Sequence, residues 1–185
     1  MKKKSKLWLK IFLGSFLIIL LFIIWWRANH KKKVIFVSEP VAIVSAGPKV
    51  SANIVRVVDG DTVQVNVEGK TETVRLIGMN APESVDPRKP VQCFGMEASN
   101  KAKEVLADKK VFLETDPVEG DKDIYGRFLR YIFLEDGTNF SKLMINEGYA
   151  REYTYYGKQY KYRDEFKNSQ QEAKAEKMGL WGVCK

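Results

Sequence analysis

The chain has 185 residues, 45% of them hydrophobic and 29% charged, enough for one compact domain with an appendage and ordinary for a globular protein. The net charge of +8 belongs to residues 1–50, which hold ten Lys or Arg and one acid, Glu39, whereas residues 51–185 hold 21 basic and 22 acidic side chains. The bulk of the chain is therefore near neutral, which excludes any inference from overall basicity to nucleic-acid binding.

From Ile11 to Trp26 the chain is almost uninterruptedly apolar, and Leu7, Trp8 and Leu9 extend the run past Lys10. That length suits a bilayer-spanning helix with Lys10 snorkelling to the interface. Trp25 and Trp26 fall where an aromatic belt would lie, followed by Arg27 and three lysines. A cleaved signal peptide is the competing reading. However, Trp-Trp-Arg follows the run in place of a small-residue cleavage site, and VSA at 44–46 lies too far downstream. Residues 1–27 are thus read as a signal anchor in the lipid bilayer, 28–49 as a linker and 50–185 as the folded domain. Basic residues flank both ends of the run, so charge leaves the orientation open.

Within the domain, Ile54–Val58, Thr62–Val67 and Thr71–Gly78 read as three strands, the second alternating Val63, Val65 and Val67 against Gln64, Asn66 and Glu68. EGKT at 68–71 joins the second to the third, turning at Gly69 and Lys70. After the loop MNAPESVDPRKPVQCFG, Met96–Ala107 has helical composition. Lys110–Thr115 and Phe128–Leu134 are two further strands, Phe140–Asn146 a short helix, and Gln159–Met178 a charged helix with Gly179 as its C-cap. This order describes an α+β protein: a five-stranded barrel of the OB type with about three helices, a fold that often binds oligonucleotides on its open face.

The stretch VVDGDTVQV at 57–65 places two carboxylates around a glycine where a strand should be regular. A tight turn is one reading, since Asp-Gly is a common turn signal. A metal or proton-transfer site is the other. A turn at Gly69 and Lys70 pairs Asp61 with Gly78, which gathers Asp61, Asn80 and Glu83 at one end of the hairpin. Arg75 then lies on the order of 10 Å back along the strand, within reach of a guanidinium. Hard oxygen donors of this kind suit Ca²⁺ or Mg²⁺ rather than zinc, and the lone histidine, His30, is outside the domain. An arginine beside such an ion suits a phosphate. The only cysteines, Cys93 and Cys184, fit either one disulfide in an oxidising compartment or two free thiols. A bridge would place the domain outside the cytoplasm.

DGDT at 59–62, VRLIGMNAPE at 74–83, DIYGR at 123–127 and GLWG at 179–182, in this order, resemble the staphylococcal nuclease, or thermonuclease, family over roughly residues 50–184. The resemblance implies a Ca²⁺-dependent phosphodiesterase on an OB-type barrel that cuts DNA, RNA or both to leave 3′-phosphates. It implies Asp61 and Asn80 as side-chain ligands of the ion and the Ala81 carbonyl as the third protein ligand. Glu83 would position or deprotonate the attacking water, Arg75 and Arg127 would bind the phosphate, and Tyr125 and Tyr156 would line the nucleotide pocket. The chain departs from the family's reference enzyme at Asn80, Ile124 and Thr154, where that enzyme has Asp, Lys and Tyr. Tyr149, Tyr153, Tyr155, Tyr160 and Tyr162 are read as packing for the last helix. The expectation is a monomeric nuclease tethered to the membrane outside the cytoplasm. The alternative is a catalytically silent OB module that binds nucleic acid or a protein partner.

Overall fold

The computed structural model describes residues 49–88 and 90–185. The expected signal anchor at 1–27, and all but the last residue of the expected linker at 28–49, lie outside them. Among the described residues no helix is long and apolar enough to cross a membrane.

Five strands close a barrel. They are β1 (Val50–Val57), β2 (Thr62–Val67), β3 (Lys70–Leu76), β5 (Lys110–Glu114) and β6 (Phe128–Phe133), in the order β1-β2-β3-β6-β5. All pairings are antiparallel except that of β3 with β6. Closure leaves no free sheet edge. A second, two-stranded sheet joins β4 (Met79–Asn80) to β7 (Arg151–Glu152), and it fixes the chain just past the end of β3. Helix α1 (Gly95–Leu106) buries Ala98, Ala102 and Leu106 on one stripe and packs on β1. Helix α2 (Phe140–Asn146) begins at Asn139, whose side chain accepts from the Lys142 amide, and packs on α3 (Arg163–Ala175). A short α4 (Leu180–Val183) ends the chain. Alternation along the strands sends Val63, Val65, Val74, Leu76, Val111 and Ile132 into one core with Tyr131, Phe140 and Phe166. Each large side chain so buried contributes about 1.5–3 kcal/mol.

The expected α+β barrel is present, with three differences in detail. The hairpin turns at Glu68 and Gly69, both at positive φ, so Val67 pairs with Lys70 and Thr62 with Arg75. Asp61 therefore lies opposite Leu76, whose amide donates to the Asp61 carbonyl at 2.9 Å, and not opposite Gly78. A two-residue loop with positive φ matches the strand twist better than the turn read from the sequence, and Asn66 accepts the Gly69 amide to hold it. Because the correction is two residues, every side chain keeps its face. The last helix starts at Arg163 rather than Gln159, because the Lys161 amide is taken by the Asp116 carboxylate at 2.8 Å and Tyr160 is buried against the barrel. That helix ends at Ala175 with Lys177 in the left-handed conformation; Gly179 instead passes close to Gly148, which accepts the Leu180 amide at 2.9 Å.

Candidate active site

Arg75 stands at the end of β3 and its guanidinium is the hub of the site. Nη1 donates to the carbonyls of Leu76 at 2.8 Å and Met79 at 2.9 Å. Nη2 donates to Asn80 Oδ1 at 3.0 Å and lies 3.1 Å from Asp61 Oδ2. One cationic nitrogen thus holds together two of the oxygens expected as metal ligands. Asp61 is further fixed by the Ala81 amide at 2.9 Å and the Thr62 hydroxyl at 3.1 Å. The turn before β2 supplies this geometry. Asp59 accepts the Asp61 amide, and a Cβ on Gly60 would stand 2.5 Å from the Ala81 Cβ, so only glycine lets the DGD turn close on the chain that carries Asn80 and Ala81. Burial, together with the like charge of Asp61, pushes the Asp59 carboxyl up to about 6.

Arg127 reaches the same place from the loop before β6. Asp123 builds that loop by accepting the Tyr125 and Arg127 amides, and it aligns the Arg127 side chain through Nε at 2.7 Å. Burial pushes the Asp123 carboxyl up, but hydrogen bonds from the Arg127 side chain and from backbone amides outweigh it and hold the group below its ordinary value. Arg127 Nη1 lies 3.5 Å from the Thr62 hydroxyl, next to Asp61. A cavity of about 590 Å³ opens here, with Arg75, Asn80, Arg127, Tyr125, Tyr153 and Tyr155 in its wall.

Glu83 is placed differently. Its Oε1 accepts three backbone amides, from Ser84 at 2.9 Å, Val85 at 2.8 Å and Asp86 at 3.1 Å, and the residue, like Asp61 and Ala81, is not in the cavity wall. Its main chain is bound to Gln92 in both directions, Glu83 amide to Gln92 Oε1 at 3.0 Å and Gln92 amide to the Glu83 carbonyl at 2.9 Å. Cys93, the next residue, forms a disulfide with Cys184, closing a loop of 91 residues.

A profile of the family described as staphylococcal nuclease homologue matches residues 73–183. The chain belongs to the staphylococcal nuclease family. It is similar to a thermonuclease of Staphylococcus hyicus, 41% identical over 128 residues that make up 69% of this chain and 73% of the relative. It is likewise similar to the SPbeta prophage-derived endonuclease YokF of Bacillus subtilis (strain 168), 41% identical over 127 residues, 68% of this chain and 42% of the relative. Endonuclease YncB of the same strain is 38% identical over 133 residues, 71% of this chain and 62% of the relative. The chain therefore spans less than half the length of YokF and less than two thirds of YncB.

For a staphylococcal nuclease homologue the donor set around Asp61 is chemically suited to a hard divalent cation. Among the described residues no three His, Cys, Asp or Glu side chains cluster as a metal site, and the side-chain oxygens brought together on Arg75 are one carboxylate, Asp61, and one amide, Asn80. Asp61 Oδ2 and Asn80 Oδ1 converge on one positive nitrogen, so both oxygens face a common point at which positive charge is already held. Of the tyrosines expected at the nucleotide pocket, Tyr125 lines the cavity, while Tyr156 is 87% exposed, is not in the cavity wall, and meets Tyr155 of that wall edge to face, ring centres 4.5 Å apart. Tyr153 and Tyr155, expected as packing, are wall residues of the cavity. Exposed aromatics at alternate positions of YTYY would have been the signal for them. Tyr160 and Tyr162 do pack on the last helix, against Phe166.

Proposed function

We propose that this chain is a Ca²⁺-dependent nuclease that hydrolyses phosphodiester bonds of DNA, RNA or both to leave 3′-phosphate products. The observation that supports this reading is a cavity lined by Arg75, Arg127 and Asn80, with Asp61 held on the same Arg75 nitrogen as Asn80. Arg127, aligned by Asp123, and Arg75 donate to the non-bridging phosphate oxygens and to the charge that grows on them in the pentacoordinate transition state. Preorganised donors of this kind are worth about 10²–10³ in rate. Asp61, Asn80 and the Ala81 carbonyl hold the ion, which when bound supplies Lewis-acid polarisation and a template for the phosphate. Glu83 orients the attacking water and takes its proton through Oε2, the oxygen that carries none of the three amide bonds. The tyrosines of the cavity wall offer faces on which unpaired bases stack.

The test is the purified full chain with supercoiled plasmid and with RNA, in Ca²⁺ or in chelator. The expected result is cleavage in Ca²⁺ alone, with fragments that a polynucleotide kinase labels at the 5′-hydroxyl without prior phosphatase treatment. No cleavage of either substrate in Ca²⁺ contradicts the reading. The placement of Glu83 outside the cavity wall favours a second reading, a silent module, and strand binding without cleavage in the same assay selects it.

We further place the domain outside the cytoplasm on the anchor at 1–27, acting as a monomer. The apolar run Ile11–Trp26 and the Cys93–Cys184 bridge support that topology. Protease added to intact cells should remove the domain from the membrane fraction, and a protected domain with both cysteines open to alkylation would contradict it.

A further inference from the structure

Glu83 stands on a segment with little apolar anchorage. From Glu83 to Phe94 none of the described residues is buried, and Val85 and Val91 are about half exposed. Apart from Phe94, whose ring meets that of Tyr149 at 5.4 Å, hydrogen bonds and one covalent link do what packing does elsewhere. The side-chain and main-chain oxygens of Glu83 are both engaged locally, the former by the amides of Ser84, Val85 and Asp86, the latter by the amide of Gln92. Gln92 returns a bond from its own side chain to the Glu83 amide. Its carbonyl also accepts the Gly95 amide at 2.9 Å, and Gly95 opens α1 so close to Glu83 that a Cβ there would stand 2.6 Å from the Glu83 carbonyl oxygen. The rigid helix therefore reaches Glu83 through Gln92. Between Gln92 and that helix sits Cys93, tied to Cys184 at the chain's far end, where the Cys184 amide closes onto Leu180 and the Leu180 amide onto Gly148.

We propose that Gln92, locked by the Cys93–Cys184 bridge, is the positioning residue that sets the Glu83 carboxylate against its water. The proposal rests on the reading of Glu83 as the base. Gln92 contributes no atom to the cavity wall and acts only through the Glu83 main chain. The bridge makes that position conditional on oxidation. An added dithiol passes two electrons and two protons to the two sulfurs and closes into its own disulfide, leaving Cys93 and Cys184 as thiols. Gln92 then loses its covalent tether and keeps only its hydrogen bonds, while Arg75 and Asp61, held by the barrel, stay in place. A displacement of about 1 Å in a reacting group costs up to about a hundredfold in rate.

The test compares kcat and KM of the full chain on one single-stranded oligonucleotide in Ca²⁺ for the wild type, Gln92→Ala, Gln92→Glu, Glu83→Gln and the double variant Glu83→Gln/Gln92→Ala. Gln92→Ala should lower kcat about ten- to a hundredfold with KM within about twofold. Gln92→Glu, which keeps the acceptor for the Glu83 amide, should recover most of the loss. In the Glu83→Gln background, Gln92→Ala should add nothing. Reduction of the wild type, followed by thiol titration, should lower kcat in the same way and reverse on reoxidation. Unchanged turnover in Gln92→Ala, an effect on KM alone, or losses that multiply in the double variant overturn the proposal. Turnover lost on reduction together with the near-ultraviolet circular dichroism overturns the role of the bridge, which would then hold the whole domain. If Glu83→Gln itself keeps wild-type turnover, the base assignment falls first and takes this proposal with it. A dead Glu83→Gln beside a fully active Gln92→Ala removes the positioning proposal alone.

Discussion

Arg75 and Asp61 are anchored by a closed barrel, with side chains 12% and 10% exposed, and Asn80 by the small sheet beside it, while Glu83 hangs on a segment in which no described residue is buried. The first group gets its geometry from strand register, which apolar packing fixes cooperatively. The second gets it from about half a dozen hydrogen bonds and a disulfide, each of them individually replaceable. The contrast teaches that a charge-stabilising cluster can be built into a core at little risk. The proposed base is instead carried on a segment that is ordered mainly by local hydrogen bonds and a covalent link.

The largest effect that could break this contrast is thermodynamic. Opening a loop of 91 residues should cost about 4–5 kcal/mol by the chain-entropy account, measured as the denaturation midpoint of the oxidised chain against a Cys93→Ser/Cys184→Ser variant. A change below about 1 kcal/mol would mean that the bridge constrains neither the unfolded chain nor the loop. Next comes the barrel half of the site: Arg127→Ala should lower turnover by about a hundredfold or more while the far-ultraviolet spectrum stays that of the wild type, since the side chain is 31% exposed and its one short side-chain bond is to Asp123 in its own loop. Near-normal turnover would remove Arg127 from the phosphate.

Asp116 sharpens the comparison from the side of folding. It accepts from the Tyr131 hydroxyl and from the amides of Lys161, Val118 and Glu119, and it docks the segment that precedes α3 on the barrel. Burial pushes its carboxyl up, but these bonds prevail and hold it below its ordinary value of 3.8. A depressed carboxylate contributes stability that is fully present above the ordinary value and is lost as pH falls through the lower, folded one. Asp116→Asn should therefore cost about 1.5–3 kcal/mol at pH 7, and the gap from the wild type should close below about pH 4. A gap that is constant from pH 7 to pH 3 would assign the loss to shape rather than charge.

The smallest effect concerns Asn80. In the proposed donor set a neutral amide stands where the family's reference enzyme has a carboxylate, and affinity in oxygen sites follows ligand charge. Asn80→Asp should shift Ca²⁺ half-saturation of plasmid cleavage down by about tenfold, ~1.4 kcal/mol, with the maximal rate unchanged. Superimposable titrations would take position 80 away from the ion.

Much of the barrel half was legible in the sequence because apolar alternation reports burial directly, and Val63, Val65 and Val74 are all core. The hairpin register was misread by two residues, since the choice between Gly69-Lys70 and Glu68-Gly69 depends on a positive φ at a glutamate that composition does not advertise. The approach of Asp61 to Asn80 survived that error because the face was preserved. The role of Gln92 was not legible: its bonds to Glu83 span nine residues of a loop with no period, and only the folded chain brings them together. The start of the last helix failed for a similar reason, an amide claimed by a carboxylate 45 residues away.

Amide hydrogen exchange on the wild type and Gln92→Ala, both with the bridge intact, tests the contrast between the two halves most directly. The amides of Glu83, Ser84, Val85 and Asp86 should exchange at least tenfold faster in the variant, while those of β2 and β3 keep their rates. Equal acceleration in the strands and the loop, or none in the loop, would contradict that contrast.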